Sequence, residues 1–262
     1  MRCLTDRDLI RLHVRCERQQ KCLLNSLQFV AYLPSCLGGW ARSHLRVASA
    51  FLELILRTNI YVDGFNLYYG ALRKTPFRWV NLNTLFQLLL PSNAIQEIKY
   101  FTALVSARPN DLTQPQRQQL YLRALATVPN VSVHLGHFLV HEVMMALVVP
   151  PGQPQQYVRV IKTEEKGSDV NLATQLLHDA HMNRFDIAVV VSNDSDLLGP
   201  IKIVRNELGK KVGVLNPQKH PSRAILPHID FIKQIRAGAL QAAQFSDQLI
   251  DQHGTFTKPQ GW

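Results

Sequence analysis

From Asn59 onward the chain alternates between short apolar runs and stretches with helical spacing. The runs "NIYV" (59–62), "IKYFTALVS" (98–106), "VSVHLGHF" (131–138), "DIAVVVS" (186–192) and "KVGVLN" (211–216) are rich in β-branched and aromatic residues, and each predicts a strand. Between them, residues 81–90, 114–126, 169–182 and 197–208 read as helices. Strand and helix in alternation imply a mostly parallel sheet covered on both faces. In such sheets ligands gather at the carboxyl ends of the strands. The stretch "VPPGQPQQ" (149–156), with three prolines, predicts a turn or hairpin tip and not a domain linker.

Acidic residues fall at that carboxyl edge. "YVDGFN" places Asp63 directly after Val62, with Gly64 allowing a tight turn and Asn66 three residues on. "VVVSNDSDLLGPIK" (189–202) empties a strand into Asp194 and Asp196. In "EEKGSDVNLATQLLHDAH" (164–181), Asp169, Leu172, Ala173, Leu176 and Ala180 share one helical stripe, so Asp169 heads the inward side of its helix. Carboxylates converging on one edge repel one another unless some protonate or a cation sits between them. Mg²⁺ or Mn²⁺ takes oxygen ligands and leaves positions free for a phosphate. Such a site can activate water and stabilise the leaving oxygen in phosphodiester hydrolysis. Each acid also has an ordinary role open to it. Asp194 or Asp196 can cap the helix beginning near Leu197, Asp63 can be a turn residue, and Asp169 can be a first-turn acid behind a Ser168 cap. Those roles explain acids near helix starts, but not why all of them lie at one sheet edge.

Composition narrows the class. With 46% hydrophobic and 18% charged residues, 262 residues can bury a real core. The net charge of +10 points to a polyanionic partner. Residues 1–57 hold nine Lys and Arg against four Asp and Glu, half of that excess, and all four cysteines, Cys3, Cys16, Cys22 and Cys36. Their spacing fits neither a zinc site nor a disulfide framework. A cysteine-free remainder suits a reducing cytoplasm. The uncharged stretch 22–41 is interrupted by Asn25, Ser26, Gln28, Pro34 and Ser35, which argues against a membrane span or a signal peptide. No stable membrane association is expected, and a homo-oligomer stays open. "YYGALRKTPFRWV" (68–80) interleaves Arg73, Lys74 and Arg78 with Tyr68, Tyr69, Phe77 and Trp79, a mixture suited to phosphate contacts and base stacking on a single strand. Lys162 and Lys166 lie close in sequence to Asp169. The same aromatics could equally be core residues, with the cations a solvated face.

"IYVDGFNLYYGALR", "KTEEKGSDVNLATQLLHDA", "AVVVSNDSDLLGPIK" and "LGKKVGVL" together resemble the NYN domain in its LabA-like branch, within the PIN-like nuclease superfamily, over about residues 57–235. The resemblance implies a three-layer α/β/α domain over 56–235 with a central, mostly parallel sheet, followed by a C-terminal helix and tail over 236–262. It also implies a Mg²⁺ or Mn²⁺ site that cleaves RNA, here single-stranded. Asp63 and Asn66 come from the DGxN element, Asp169 from EKGxD, and Asp194 and Asp196 from SxDxD. The four aspartates are then the metal ligands, with Gly64, Ser192 and Asn193 supporting them and Arg73, Lys74, Arg78, Lys162 and Lys166 contacting RNA. The family's usual glycine is replaced by Asn193, whose tolerance of left-handed backbone is expected to preserve the loop. "SRAILPHIDF" (222–231), with Ser222, Asp230 and Phe231, resembles the family's closing strand region.

Two other classes stand beside this one. A non-catalytic RNA-binding module would keep the fold and the basic face without the chemistry. A phosphatase of the haloacid-dehalogenase type wants a DxDx[TV] motif that "VDGFN" does not supply. Residues 1–55 form an N-terminal extension of different composition. Leu56 stands where such domains commonly begin, and a UUG or CUG start codon would be conceptually translated as Leu, so the extension is expected to be spurious or loosely packed. A genuine helical extension is the alternative, since "LTDRDLIRLHVRCERQQKCLL" (4–24) has an Asp-rich start and apolar residues at helical spacing.

Overall fold

The computed structural model describes residues 56–262 apart from Asn110 and Gly261, so the expectations for the extension and its cysteines lie outside the described residues. The first strand, β1 (Arg57–Asp63), runs into a short helix α1 (Gly64–Leu67) that widens into a π turn (Tyr68–Leu72). Then come α2 (Leu82–Leu89), β2 (Ala94–Ala103), α3 (Gln114–Ala126), β3 (Val131–Ala146), β4 (Tyr157–Lys166), α4 (Ser168–His181) and β5 (Ile187–Val191). A 3₁₀ turn (Ser195–Leu197) leads to α5 (Leu198–Lys202), a second π turn (Ile203–Glu207), β6 (Lys211–Asn216) and β7 (Phe231–Gln234).

Seven strands form one sheet in the order β4-β3-β2-β1-β5-β6-β7, parallel except where β4 runs antiparallel to β3. Strand alternation sorts the core into two layers. Ile60, Val62, Val189 and Val191 face α2 and α3, where Leu85, Phe86, Tyr121 and Leu125 cover them. Tyr61, Ala188, Val190 and Val212 face the other way, under Leu172, Leu176 and Ala180 of α4 and Ile201 of α5. Each fully buried aliphatic side chain contributes roughly 1.5–3 kcal/mol. The central strands can therefore be almost wholly apolar, and the three-layer α/β/α arrangement follows. Within the α4 layer, Asp179 is completely buried, with Lys99 Nζ donating to it at 2.6 Å and Tyr61 Oη at 2.7 Å.

The chain leaves β1 toward β2 and β3 on one side and later returns to β5 on the other. That reversal opens a crevice at the carboxyl ends of β1 and β5, the usual ligand position in open α/β sheets.

Three elements differ from the sequence reading. β3 is about twice as long as expected and pairs, from His137 with Lys166 to Ala146 with Tyr157, with a β4 that the reading lacked. The proline-rich stretch forms the tip of that hairpin, as expected. Residues 197–208, expected as one helix, are divided between 3₁₀, α and π turns, with Pro200 withholding an N–H donor. After α6 (Ala237–Ala242) the chain does not trail away but forms a hairpin, β8 (Gln248–Asp251) and β9 (Gly254–Thr257). Phe245 and Phe256 are buried there, against Trp79.

Candidate functional site

Asp63 ends β1, nearly buried, and caps α1. Its Oδ1 accepts from the Asn66 backbone N–H at 2.9 Å, and its Oδ2 accepts from Asn66 Nδ2 at 2.8 Å and from Ser192 Oγ at 3.0 Å. Ser192 Oγ in turn accepts from the Asp194 N–H at 3.1 Å. Asp194 Oδ1 accepts from the Asp196 N–H at 3.0 Å, which caps the 3₁₀ turn. These bonds tie the end of β1 to the end of β5. Gly64 serves by its lack of bulk more than by its turn conformation, because a Cβ there would stand 2.7 Å from Phe101 O and from the Tyr100 ring.

Asn193 does not adopt the left-handed backbone expected of a glycine substitute, since Asn183 is the non-glycine residue with positive φ among the described residues. Its side chain is used instead. Nδ2 donates to Gln218 Oε1 at 3.2 Å and to His220 O at 3.1 Å, while Oδ1 accepts from the Ser222 N–H at 2.6 Å. Gln218 Nε2 reaches Asn66 Oδ1 at 3.0 Å, so the loop after β6 braces both acidic motifs. Asp230 lies elsewhere, accepting from Val212 N–H at 2.8 Å.

Gly167, at φ 98°, turns the chain from β4 into α4. Glu165 caps that helix: its Oε1 accepts from the Ser168 N–H at 3.0 Å and its Oε2 from Ser168 Oγ at 2.8 Å. Gly136 of β3 makes room, because a Cβ there would lie 2.6 Å from Glu165 Oε1 and from Lys166 O. Asp169 thereby opens onto a cleft of about 260 Å³ that Asp63, Asn66, Glu165, Ser168 and Asp194 also line. Phe65, Tyr69 and Phe138 supply apolar wall, and Arg108 a cation. Burial is the main force raising the Asp63 carboxyl above its ordinary range, against the lowering effect of its hydrogen bonds. Asp169 is pushed up to about 6, first by burial and then by the charges of Asp63, Asp194, Glu165 and Asp196.

The structure thus brings Asp63, Asn66, Asp169 and Asp194 together, with Ser192 behind them. Asp196 is exposed, does not line the cleft, and acts on Asp169 only through its charge. Glu165 was missed, although it stands in the quoted motif. Alternation along β4 is the signal that finds it, because Lys162, Glu164 and Lys166 share the opposite face. Those two lysines pair with Glu164 at 2.5 and 3.3 Å and do not line the cleft. Of the aromatics in 68–80, Trp79 is core and Phe77 packs against it, while Tyr69 is exposed with the Arg73 guanidinium 5.4 Å from its ring. Lys74 is exposed beside Arg73, and Arg78 lines a neighbouring cavity.

The donor set suits a hard divalent ion: oxygen ligands only, with the neighbouring carboxylates adding to burial in pushing Asp169 up to about 6. Among the described residues no three acidic, imidazole or thiol side chains stand where they could jointly hold an ion. An ion here would therefore take one or two carboxylates at first and complete its shell with water and phosphate, as Mg²⁺ commonly does. No helix of the described residues is long and apolar enough to cross a membrane.

The 6-hydroxy-3-succinoylpyridine 3-monooxygenase HspA of Pseudomonas putida (strain DSM 28022 / S16) is 33% identical over 240 residues, covering 79% of this chain and 75% of that protein. A crystal structure of a protein of unknown function from Vibrio parahaemolyticus aligns at 19% identity and a TM-score of 0.47, covering 71% of this chain and 96% of that one. The NYN domain matches residues 57–232, the span from β1 into β7 that carries every acidic residue of the cleft. On that match the chain belongs to the NYN domain family, a member of the PIN-like nuclease superfamily.

Proposed function

We propose that this protein hydrolyses phosphodiester bonds of single-stranded RNA at the cleft between β1, β5 and α4, with Mg²⁺ or Mn²⁺. The observation that carries the reading is the gathering of Asp63, Asp169, Asp194 and Glu165 at the crevice where the sheet reverses, with one of them pushed up to about 6. One or two of Asp63, Asp169 and Asp194 would hold the ion directly, with water and phosphate completing its shell and Asp196 near by. When bound, such an ion polarises the phosphate and lowers the pKa of attacking water. The protein's own groups prepare for that. Asn66 and Ser192 fix the Asp63 carboxylate in one orientation by three hydrogen bonds. Asp169, pushed up to about 6, would ionise more fully as positive charge arrives. Arg108 lines the same cleft, where it can meet a phosphate oxygen. The basic balance of the chain supports a polyanionic substrate, and a cysteine-free domain suits the reducing cytoplasm.

The test is cleavage of mixed RNA and DNA oligonucleotides by the full chain. Single-stranded RNA should be cut with Mn²⁺ or Mg²⁺ and spared with EDTA, and Asp194→Asn should slow cutting at least a hundredfold, the scale of losing a main electrostatic stabiliser. Cutting that ignores EDTA, or a wild-type rate in that variant, refutes the proposal. RNA binding without cutting would assign a binding module instead. The Pseudomonas relative motivates a second reading, oxygen insertion into a small nitrogen heteroaromatic acid. Oxygen uptake on 6-hydroxy-3-succinoylpyridine, with reduced nicotinamide or flavin supplied, would replace hydrolysis as the reading if RNA stayed intact.

A further inference from the structure

The loop after β6, residues 217–223, reads "PQKHPSR": two cations and a histidine, with no acid. Gln218 anchors it, with every one of its polar groups bonded. Its N–H donates to Asn216 Oδ1 at 3.0 Å, and its carbonyl accepts from Asn216 Nδ2 at 2.8 Å and from Gln234 Nε2 at 2.6 Å. Its side chain joins Asn66 to Asn193, since Nε2 donates to Asn66 Oδ1 at 3.0 Å and Oε1 accepts from Asn193 Nδ2 at 3.2 Å. Asn193 holds the loop at two further points, the His220 carbonyl at 3.1 Å and the Ser222 N–H at 2.6 Å. Gly70 lets the loop approach the turn after α1, because a Cβ there would stand 3.1 Å from both Pro217 and Gln218.

These bonds fix the loop at the rim of the acidic cleft, because Asn66 and Asp194, the neighbour of Asn193, both line it. Lys219 stands between the residue bonded to Asn66 and the residue whose carbonyl meets Asn193, and Arg223 directly follows Ser222. Lys219, His220 and Arg223 are exposed. Lys162 and Lys166 are held by Glu164, and Arg205 by Asp230. Lys219 and Arg223 have no such carboxylate partner among the described residues. A phosphodiester approaching a cleft lined by carboxylates is repelled, and cations fixed at the rim offset that repulsion before any metal is bound. Because the loop is already ordered, an anion that binds there meets little further cost in chain freedom.

We infer that residues 217–223 form a clamp for RNA phosphates flanking the bond in the acidic cleft, with Lys219 and Arg223 as its contacts and Asn193 as the pin that holds them in place. The inference rests on the RNA reading of the site for its ligand, and on the hydrogen bonds of Asn193 and Gln218 for its position. Asn193 is a positioning residue: it touches no phosphate and acts through the loop it holds. A smaller residue at that position would leave the cations in the chain but release His220 and Ser222 from the acidic motif.

The test is binding of a fluorescent single-stranded oligouridylate by the full chain in EDTA, read by anisotropy over a range of salt concentrations. Lys219→Ala with Arg223→Ala should lower the salt slope by about 1.4, at roughly 0.7 per lost phosphate contact, and weaken binding about 25-fold at about 0.1 M salt, fivefold per contact. Asn193→Ala, which leaves both cations in place, should weaken binding by about twofold or more, the least that members of one network show. Added to the double variant, Asn193→Ala should weaken binding no further, since the pin acts through the cations it holds. The comparison is made within each background, so a general loss of stability in Asn193→Ala cancels. A double variant with the natural affinity and slope overturns the clamp while leaving hydrolysis intact. An Asn193→Ala change that leaves binding unaltered, or weakens both backgrounds alike, overturns the pin. The expected loss of slope in a chain that cuts no RNA upholds the clamp and refutes hydrolysis, and a natural chain that binds no RNA overturns both.

Discussion

Replacing Asp169 with Asn should stabilise the metal-free protein while abolishing its activity. Asp169 titrates near 6 in the folded chain against an ordinary 3.8, so its ionised form is disfavoured in the native state. The native state holds its advantage while the carboxyl is protonated, below about pH 4, and loses it as the pH rises through 6. Two units correspond to about 3 kcal/mol. The side chain is half open to solvent, which screens the repulsion, so about 1.5 kcal/mol is the working figure. In a domain of this size that shifts Tm by about 3–6 °C.

The assay is thermal melting in EDTA at pH 7 and pH 4. Asp169→Asn should melt higher than the natural protein at pH 7, and the difference should vanish at pH 4. Mg²⁺ should raise the natural protein more than the variant, because it relieves a repulsion the variant lacks. RNA cutting should fall at least a hundredfold. Asp63→Asn provides the contrast. Its Oδ2 accepts two donors, and an amide nitrogen in that place would lose both bonds, so the variant should be less stable by about 1–3 kcal/mol at pH 7. An Asp169→Asn protein that melts at or below the natural one at pH 7 in EDTA would refute the claim that unrelieved charge is stored at this carboxylate.

Gly136→Ala should press on Glu165 and the start of α4; cutting should fall well over tenfold with a smaller effect on Tm, and an unaltered rate would separate Glu165 from the site. Arg73→Ala with Lys74→Ala should weaken RNA binding and reduce its salt slope by roughly 0.7 per lost phosphate contact; an unchanged slope in binding titrations returns both to the solvated face. Asp179→Asn removes the nearer charge partner of buried Lys99, leaving Glu97 at 3.5 Å, and should cost about 3 kcal/mol in chemical denaturation, whereas a loss under 1 kcal/mol would show the pair to be better solvated than its burial implies. A chain beginning at Leu56, which keeps the Leu56 carbonyl that receives the Ala94 N–H, is expected to retain the Tm and activity of the full chain; melting several degrees lower would show that residues 1–55 pack on the domain.

The parallel core was legible because its strands are buried on both faces. "NIYV" and "DIAVVVS" carry almost no polar residue, and a continuous apolar run has few other homes. β4 was not legible for the opposite reason. "YVRVIKTEEK" keeps no strict alternation, with Val160 beside Ile161 and Glu164 beside Glu165, and it runs along a hairpin whose two faces are largely exposed, so neither burial nor periodicity separates it from a loop. Register then decides function there. One face of β4 binds Lys162 and Lys166 to Glu164 while the other sends Glu165 to the cleft, a division that nearness to Asp169 in sequence does not report.

The acidic residues raise a different point: capping and the proposed metal binding are not rival roles at this site. Asp63 and Asp194 each cap a helical turn and each line the cleft. A cap fixes a carboxylate where a strand meets a helix, which in an open α/β sheet is also the mouth of the ligand crevice. The donated N–H bonds help hold the Asp63 anion against the effect of its burial. Asp169 shows no such hydrogen bond, and at the start of α4 the Ser168 N–H and hydroxyl are taken by Glu165. Partly buried at the start of α4 among the charges of Asp63, Asp194, Glu165 and Asp196, it is the carboxyl pushed up to about 6. On the proposed reading the capped acids set the geometry of the site before a metal arrives, and the uncapped one supplies the unmet charge that would favour an arriving cation.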